Sequence, residues 1–194
     1  MRRLLMLFFA VLLAGCSTMA DQLHGSLQPP AGTGYAVFSM TVRTLTPDHA
    51  WANLSWRGLD NNRHGMLYSN FATDTVFGEE GMPPADGKLQ LLALPPGRYR
   101  LQDSYAHWVD DPGDNPVFNY KGYAVFHLNK DFEVKAGQTV YLGNIRFNLD
   151  NLPDVVFGSE QRRDFGHMKR VWKVSDLNAV LVQPYSGSIK SGSQ

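Results

Sequence analysis

Trp51, Trp108 and the acidic turn Asp110-Asp111-Pro112-Gly113-Asp114-Asn115 are the residues whose types could recognise a ligand. An indole offers a flat apolar face with a polar edge, which suits stacking against a sugar or docking against a protein. Asp110, Asp111 and Asp114 could gather oxygens around a weakly held calcium ion, yet they lack the alternate-position spacing of an EF-hand loop. The same Asp, Pro, Gly and Asn residues are also what an exposed tight turn requires. His24, His49, His64, His107, His127 and His167 are scattered, with no pair at metal-ligand spacing, so no metal and no cofactor is expected. Covalent catalysis has no local signature: there is no G-x-S-x-G elbow and no H-E-x-x-H helix. A hydrolase would have to assemble a triad from distant segments.

A second cluster is basic. After Ser159, a plausible N-cap, Phe165, Met168 and Trp172 recur at i, i+3 and i+7, which predicts a helix over about 160–172. Arg162, Arg163, Lys169, Arg170 and Lys173 lie opposite that stripe. Such a helix could rest on anionic lipid or meet an acidic partner. Equally, its apolar stripe could cap the open end of a sheet domain while its charges are solvated.

The front of the chain carries different chemistry. Arg2 and Arg3 precede the apolar run Leu4–Leu13, and Leu13-Ala14-Gly15-Cys16 ends it with the only cysteine of the 194 residues. The run falls well short of the roughly 20 residues that span a bilayer, which favours a cleaved signal over a transmembrane helix. L-A-G-C resembles the lipobox of bacterial lipoproteins. The resemblance implies diacylation of the Cys16 sulfur, cleavage before it and acylation of the new amino terminus. Several acyl chains anchor effectively permanently, at about 0.8 kcal/mol per buried methylene. Ser17, rather than the Asp that resembles an inner-membrane retention signal, implies the periplasmic face of the outer membrane.

Without Arg2 and Arg3 the mature chain holds 16 basic against 18 acidic residues. That near-neutral balance gives no field that favours nucleic acid. With Cys16 lipidated no thiol remains for a disulfide, so the domain must stand on its apolar core. The mature length suits one domain. The composition of residues 16–34, GSLQPPAGTG included, reads as a flexible tether, with a domain over 35–184 and a disordered tail, YSGSIKSGSQ, over 185–194.

From Tyr35 the pattern has period two. Ala36, Phe38, Met40 and Val42 alternate with Val37, Ser39, Thr41 and Arg43, and Ala52, Leu54 and Trp56 with Trp51, Asn53 and Ser55. Trp51 and Trp56 therefore face opposite sides, and Trp51 with Trp108 makes the candidate binding surface beside Asp110, Asp111 and Asp114; filling of the core is the competing role for these rings. His64–Ala72, Lys88–Tyr105, Tyr123–Val134 and Thr139–Asn148 read as further strands. Pro96-Gly97 and Ala136-Gly137 make the bends that join two of the pairs.

The segments LPPGRYRL and FEVKAGQTVYLGNI resemble the turns of transthyretin-like and carboxypeptidase-regulatory-like modules, over roughly Leu89 to Phe147. The resemblance implies an antiparallel prealbumin-like or immunoglobulin-like sandwich, here with one C-terminal amphipathic helix, and carries no active site with it. The expected function is a lipid-anchored, non-catalytic envelope module binding a protein, an envelope glycan or the membrane surface. The rival expectations are a periplasmic hydrolase with dispersed catalytic residues and a weak metal or small-ligand binder.

Overall fold

Period-two alternation of apolar and polar residues dictates what this chain builds, and the result is mainly β. The computed structural model describes residues 18–109, 121–150 and 152–192. Eleven strands follow in chain order: β1 (Gly34–Arg43), β2 (Trp51–Gly58), β3 (His64–Asn70), β4 (Thr75–Val76), β5 (Ala85–Leu94), β6 (Gly97–Val109), β7 (Lys121–Val134), β8 (Thr139–Asn148), β9 (Asp154–Gly158), β10 (Leu181–Val182) and β11 (Gly187–Lys190). Among the described residues there are also two α-helices, α1 (Met19–Leu23) and α2 (Gln161–Arg170), and one 3-10 turn at Pro47–His49. No helix among the described residues is long and apolar enough to cross a membrane.

The strands form two sheets. The larger runs β11-β9-β8-β1-β5-β4, with β10 also on β8, and the smaller runs β3-β2-β6-β7. Most pairs are antiparallel, as expected from the tight turns, but β1 and β10 both run parallel to β8. A parallel pair cannot be closed by a hairpin and needs a long crossover, so no local turn in the sequence announces it. Both predicted bends hold: Gly97 has φ +155° and Gly137 φ +71°. Tyr99 swings back over the first of them and donates its hydroxyl to the Pro95 carbonyl at 2.8 Å.

Between the sheets lies one apolar cluster. Ala36, Phe38 and Met40 of β1 and Ile145 and Phe147 of β8 meet Leu54 and Trp56 of β2, Tyr99, Leu101, Ala106 and Trp108 of β6, and Phe126 of β7. Two of the buried indoles face glycine across an edge: Trp56 pairs with Gly65 of β3 and Trp108 with Gly122 of β7. Each indole occupies the space a side chain would otherwise fill, as aromatic residues do when they cover sheet glycines.

The larger sheet is buried on its other face too. Residues 34–41 of β1 are buried without a break, the signature of a strand covered on both sides. A second cluster joins Tyr35, Val37, Leu89 and Tyr141 to Leu23, Leu27, Met168, Trp172, Val174 and Leu177. Helix α2 therefore covers a face of the larger sheet rather than an open end.

Two expectations about the ends of the domain are corrected here. The segment read as a flexible tether is folded from Thr18 onward: α1 opens with a capping box and Leu23 and Leu27 are buried. Burying each leucine contributes about 1.5–3 kcal/mol, which outweighs the glycine-, serine- and proline-rich composition around them. The segment read as a disordered tail pairs as β11 with β9. Tyr185 donates its hydroxyl to the Asp131 carbonyl at 2.9 Å and stands edge-on to Phe157 at 6.0 Å.

Candidate functional site

No described element packs over the outward face of the smaller sheet, and its cross-strand register sorts side chains into rows. Trp51 pairs with His107, and His107 with Tyr123. One row along, Asn53 lies between Tyr68 and Tyr105. Next come Met66 opposite Ser55, and Asp103 opposite His127; last, Arg57 between His64 and Arg100. Successive rows stand about 7 Å apart, two residues along a strand. The face thus grades from aromatic to cationic.

The aromatic end is a continuous layer of rings. Trp51 lies 5.8 Å from Tyr68, 5.6 Å from Tyr105 and 5.7 Å from His107, centroid to centroid. Tyr123 closes the layer at 5.9 Å from Tyr105 and 4.7 Å from His107. Five rings from four strands span about 14 Å at the spacing of adjacent strands. Tyr68 is 48% and Tyr123 58% exposed, whereas an aromatic cluster with a purely packing role is normally buried. Burial, and then the charge of Lys121, hold the His107 imidazole below its ordinary pKa, so it is a neutral ring at neutral pH. Its buried Nδ1 has no hydrogen-bond partner among the described residues.

At the other end an open groove of about 760 Å³ is lined by Ser55, Arg57, Asn62, Arg63, His64 and Met66. Arg98 and Arg100 nearby are paired with Asp60 and Asp131. Arg57 and Arg63 have no carboxylate within ion-pair distance among the described residues.

The two halves of the predicted tryptophan surface part company here. Trp51 is on the open face as expected. Trp108 is not: it is 2% exposed and belongs to the inter-sheet core. A bulge between Leu101 and Asp103 shifts the β6 register and inverts which residues point inward, turning Ser104, Ala106 and Trp108 to the core and Tyr105 and His107 outward. Asp110, Asp111 and Asp114 lie outside the described residues. No group of three or more His, Cys, Asp or Glu among the described residues could hold a metal ion. Cys16 also lies outside them.

The basic helix is divided rather than uniformly solvated. Arg162 is exposed and reaches Glu79 at 2.6 Å. Lys169 and Arg170 are exposed as well, with Arg170 donating to the Gly78 carbonyl at 2.8 Å. Arg163, by contrast, is buried against the larger sheet and lies 2.8 Å from the fully buried Asp164. Asp164 also accepts from Ser39 and Tyr141, both at 2.6 Å, and Arg163 donates to Ser39 at 2.9 Å. Burial pushes the Asp164 carboxyl up, against the guanidinium and the hydroxyl donors. A buried charge needs such partners, so Arg163 serves to fasten α2 to β1 and β8 and is no part of a lipid- or partner-facing surface.

One acid–imidazole pair stands on the surface: His127 Nδ1 is 2.7 Å from Asp103 Oδ1, both largely exposed. No side-chain hydroxyl among the described residues is hydrogen-bonded to that imidazole.

Tyr68, Tyr105, His107 and Tyr123 were not singled out from the sequence. Their common face becomes visible only with the register of four strands and the position of the β6 bulge, and the one available signal was the outward parity of Trp51. No family model and no curated protein matches this chain. Among solved structures, a leucine-rich repeat protein from Bacteroides thetaiotaomicron aligns with TM-score 0.35 and 12% identity, over 61% of this chain and 14% of that protein. The chain spans about a seventh of that protein's length, and the likeness is too weak to carry an argument.

Proposed function

We propose that this chain is a lipid-anchored, non-catalytic module of the cell envelope that binds a glycan on the ring layer of its smaller sheet. One observation carries the reading: Trp51, Tyr68, Tyr105, His107 and Tyr123 form a contiguous, partly exposed aromatic surface. Flat rings offer apolar faces to sugar C–H groups, while tyrosine hydroxyls and the Asn53 side-chain amide N–H groups offer hydrogen bonds to sugar hydroxyls. Arg57 and Arg63 at the groove, neither in an ion pair among the described residues, suit acidic substituents farther along the same chain. Anchoring through Cys16 at the periplasmic face of the outer membrane would put such a surface within reach of the peptidoglycan layer.

A finer fold assignment belongs to the same proposal. Two sheets around one core, with Tyr99 hydrogen-bonded back to Pro95, support a prealbumin-like or immunoglobulin-like module, in which a tyrosine bonded to upstream backbone is a recurrent corner device.

The test is co-sedimentation of the mature chain, with Cys16→Ser to remove the anchor, on purified peptidoglycan sacculi. Saturable retention that Trp51→Ala weakens about tenfold, or 1.4 kcal/mol, supports the reading. Retention indifferent to Trp51 and Tyr123 removes the ring layer from it.

A further inference from the structure

From Thr18, two residues after Cys16, the chain is part of the fold. Thr18 and Asp21 cap α1 reciprocally, with Thr18 N–H donating to Asp21 Oδ2 at 2.9 Å and Asp21 N–H to Thr18 Oγ1 at 3.2 Å. Leu23 and Leu27 are each 6% exposed, packed with Trp172, Val174 and Leu177. Two further bonds pin the segment: Ser175 N–H to the Gly25 carbonyl at 3.0 Å, and Thr139 Oγ1 to the Leu27 carbonyl at 2.7 Å. Only Ser17 separates Cys16 from Thr18, so their Cα atoms can lie no more than about 7 Å apart. A flexible tether over residues 16–34 would instead allow excursions of roughly 20–25 Å.

We infer that the lipidated amino terminus is a rigid mount, which seats the α1/α2 layer against phospholipid headgroups and holds the ring layer facing away from the bilayer. The inference rests on acylation of Cys16, proposed above. Acyl chains fix Cys16 at headgroup depth, and a link this short leaves the folded domain no room to turn over. The larger sheet lies between the helical layer and the smaller sheet. With layers about 10 Å apart, the rings stand about 20 Å beyond the helices. The membrane-side surface then presents His24, Lys169 and Lys173, all exposed, with Val171 40% exposed among them. These suit phosphate headgroups. Asp21 and Asp176 share that surface, so the short joint rather than net charge sets the orientation.

The experiment uses the full lipidated protein in vesicles of phosphatidylethanolamine and phosphatidylglycerol, with a nitroxide on Val171→Cys or on Met66→Cys. Collision rates with membrane-dissolved oxygen and with an aqueous nickel chelate report each label's depth. The mount predicts a several-fold higher oxygen-to-nickel ratio at position 171 than at position 66. Ten Gly/Ser residues inserted between Ser17 and Thr18 should abolish that difference while leaving acylation and fold intact. Equal ratios in the uninserted protein, with acyl groups confirmed by mass spectrometry, overturn the mount and leave the anchor standing. A difference that survives the insertion also overturns it, because surface affinity would then set the orientation. An unmodified Cys16 removes anchor and mount together.

Discussion

Trp51 and His107 face each other across neighbouring strands with ring centroids 5.7 Å apart and planes 21° from parallel. That stack is the centre of the ring layer, flanked by Tyr68 on one side and Tyr123 on the other. Trp108 and Trp172 are buried and Trp56, 9% exposed, shows only an edge at the groove, so Trp51 is the tryptophan whose ring face is open to an added ligand. Soluble peptidoglycan fragments should therefore change tryptophan emission saturably. Trp51→Phe should erase the change, and Trp51→Ala should raise the dissociation constant about tenfold or more.

Two neighbouring arginines should behave oppositely. Arg163→Met leaves the Asp164 carboxyl inside the protein without its counter-charge and with only the Ser39 and Tyr141 hydroxyls as donors, a loss of about 3–5 kcal/mol. Arg162→Met removes only an exposed pair with Glu79, and such pairs contribute about 1 kcal/mol or less. Urea unfolding of the two variants beside wild type checks the contrast.

Acid should loosen the clasp between α2 and the β4–β5 loop. His167 is buried, and burial lowers its pKa to about 4. Its Nδ1 accepts the Phe77 N–H at 3.0 Å. Because the unfolded imidazole titrates near 6.5, the unfolded chain binds the extra proton first. The contribution is therefore intact above about pH 6.5 and is lost progressively toward pH 4, by about 3 kcal/mol. Asp164, whose pKa is raised, acts in the opposite sense over its own range. Comparing wild type with His167→Asn, which keeps an acceptor for Phe77, isolates the imidazole: the variant's stability should fall less between pH 6.5 and pH 4 in thermal or urea unfolding.

The glycine–indole pairs give a steric prediction. A Cβ at Gly65 would sit 2.8 Å from Trp56 Cζ2, and one at Gly122 would fall within the Trp108 indole. Gly122→Ala should cost about 1–3 kcal/mol through overpacking. Gly65→Ala should cost less, since its added Cβ would approach Trp56 only to 2.8 Å, whereas that at Gly122 would come to 2.2 Å from Trp108. Thermal unfolding of both variants ranks them.

Much of this architecture was legible in the sequence, for physical reasons. Alternation through Trp51–Trp56 placed Trp51 outward and Trp56 inward, because the β2 pleat runs unbroken in its burial. Trp108, placed at the binding surface because it stands next to the acidic turn, points inward instead, since one extra residue at the β6 bulge inverts every side chain beyond it. The docking of Leu23 and Leu27 escaped notice because two leucines in a polar, proline-containing stretch carry no periodicity. Their need arises only from the doubly buried β1 and β8. Arg163 looked like any other cation on a basic helix. Its burial follows from Ser39, Tyr141 and Asp164, residues far apart in sequence or hidden on a strand face. Asp110, Asp111 and Asp114 follow β6 in sequence and lie outside the described residues.

The most direct measurement is a two-dimensional NMR titration of the Cys16→Ser mature chain with soluble peptidoglycan fragments. The account predicts saturable shifts concentrated at the Trp51 indole and at Tyr68, Tyr105, His107 and Tyr123, extending toward Arg57. Shifts absent from those residues, or centred on the α1/α2 layer instead, would contradict it.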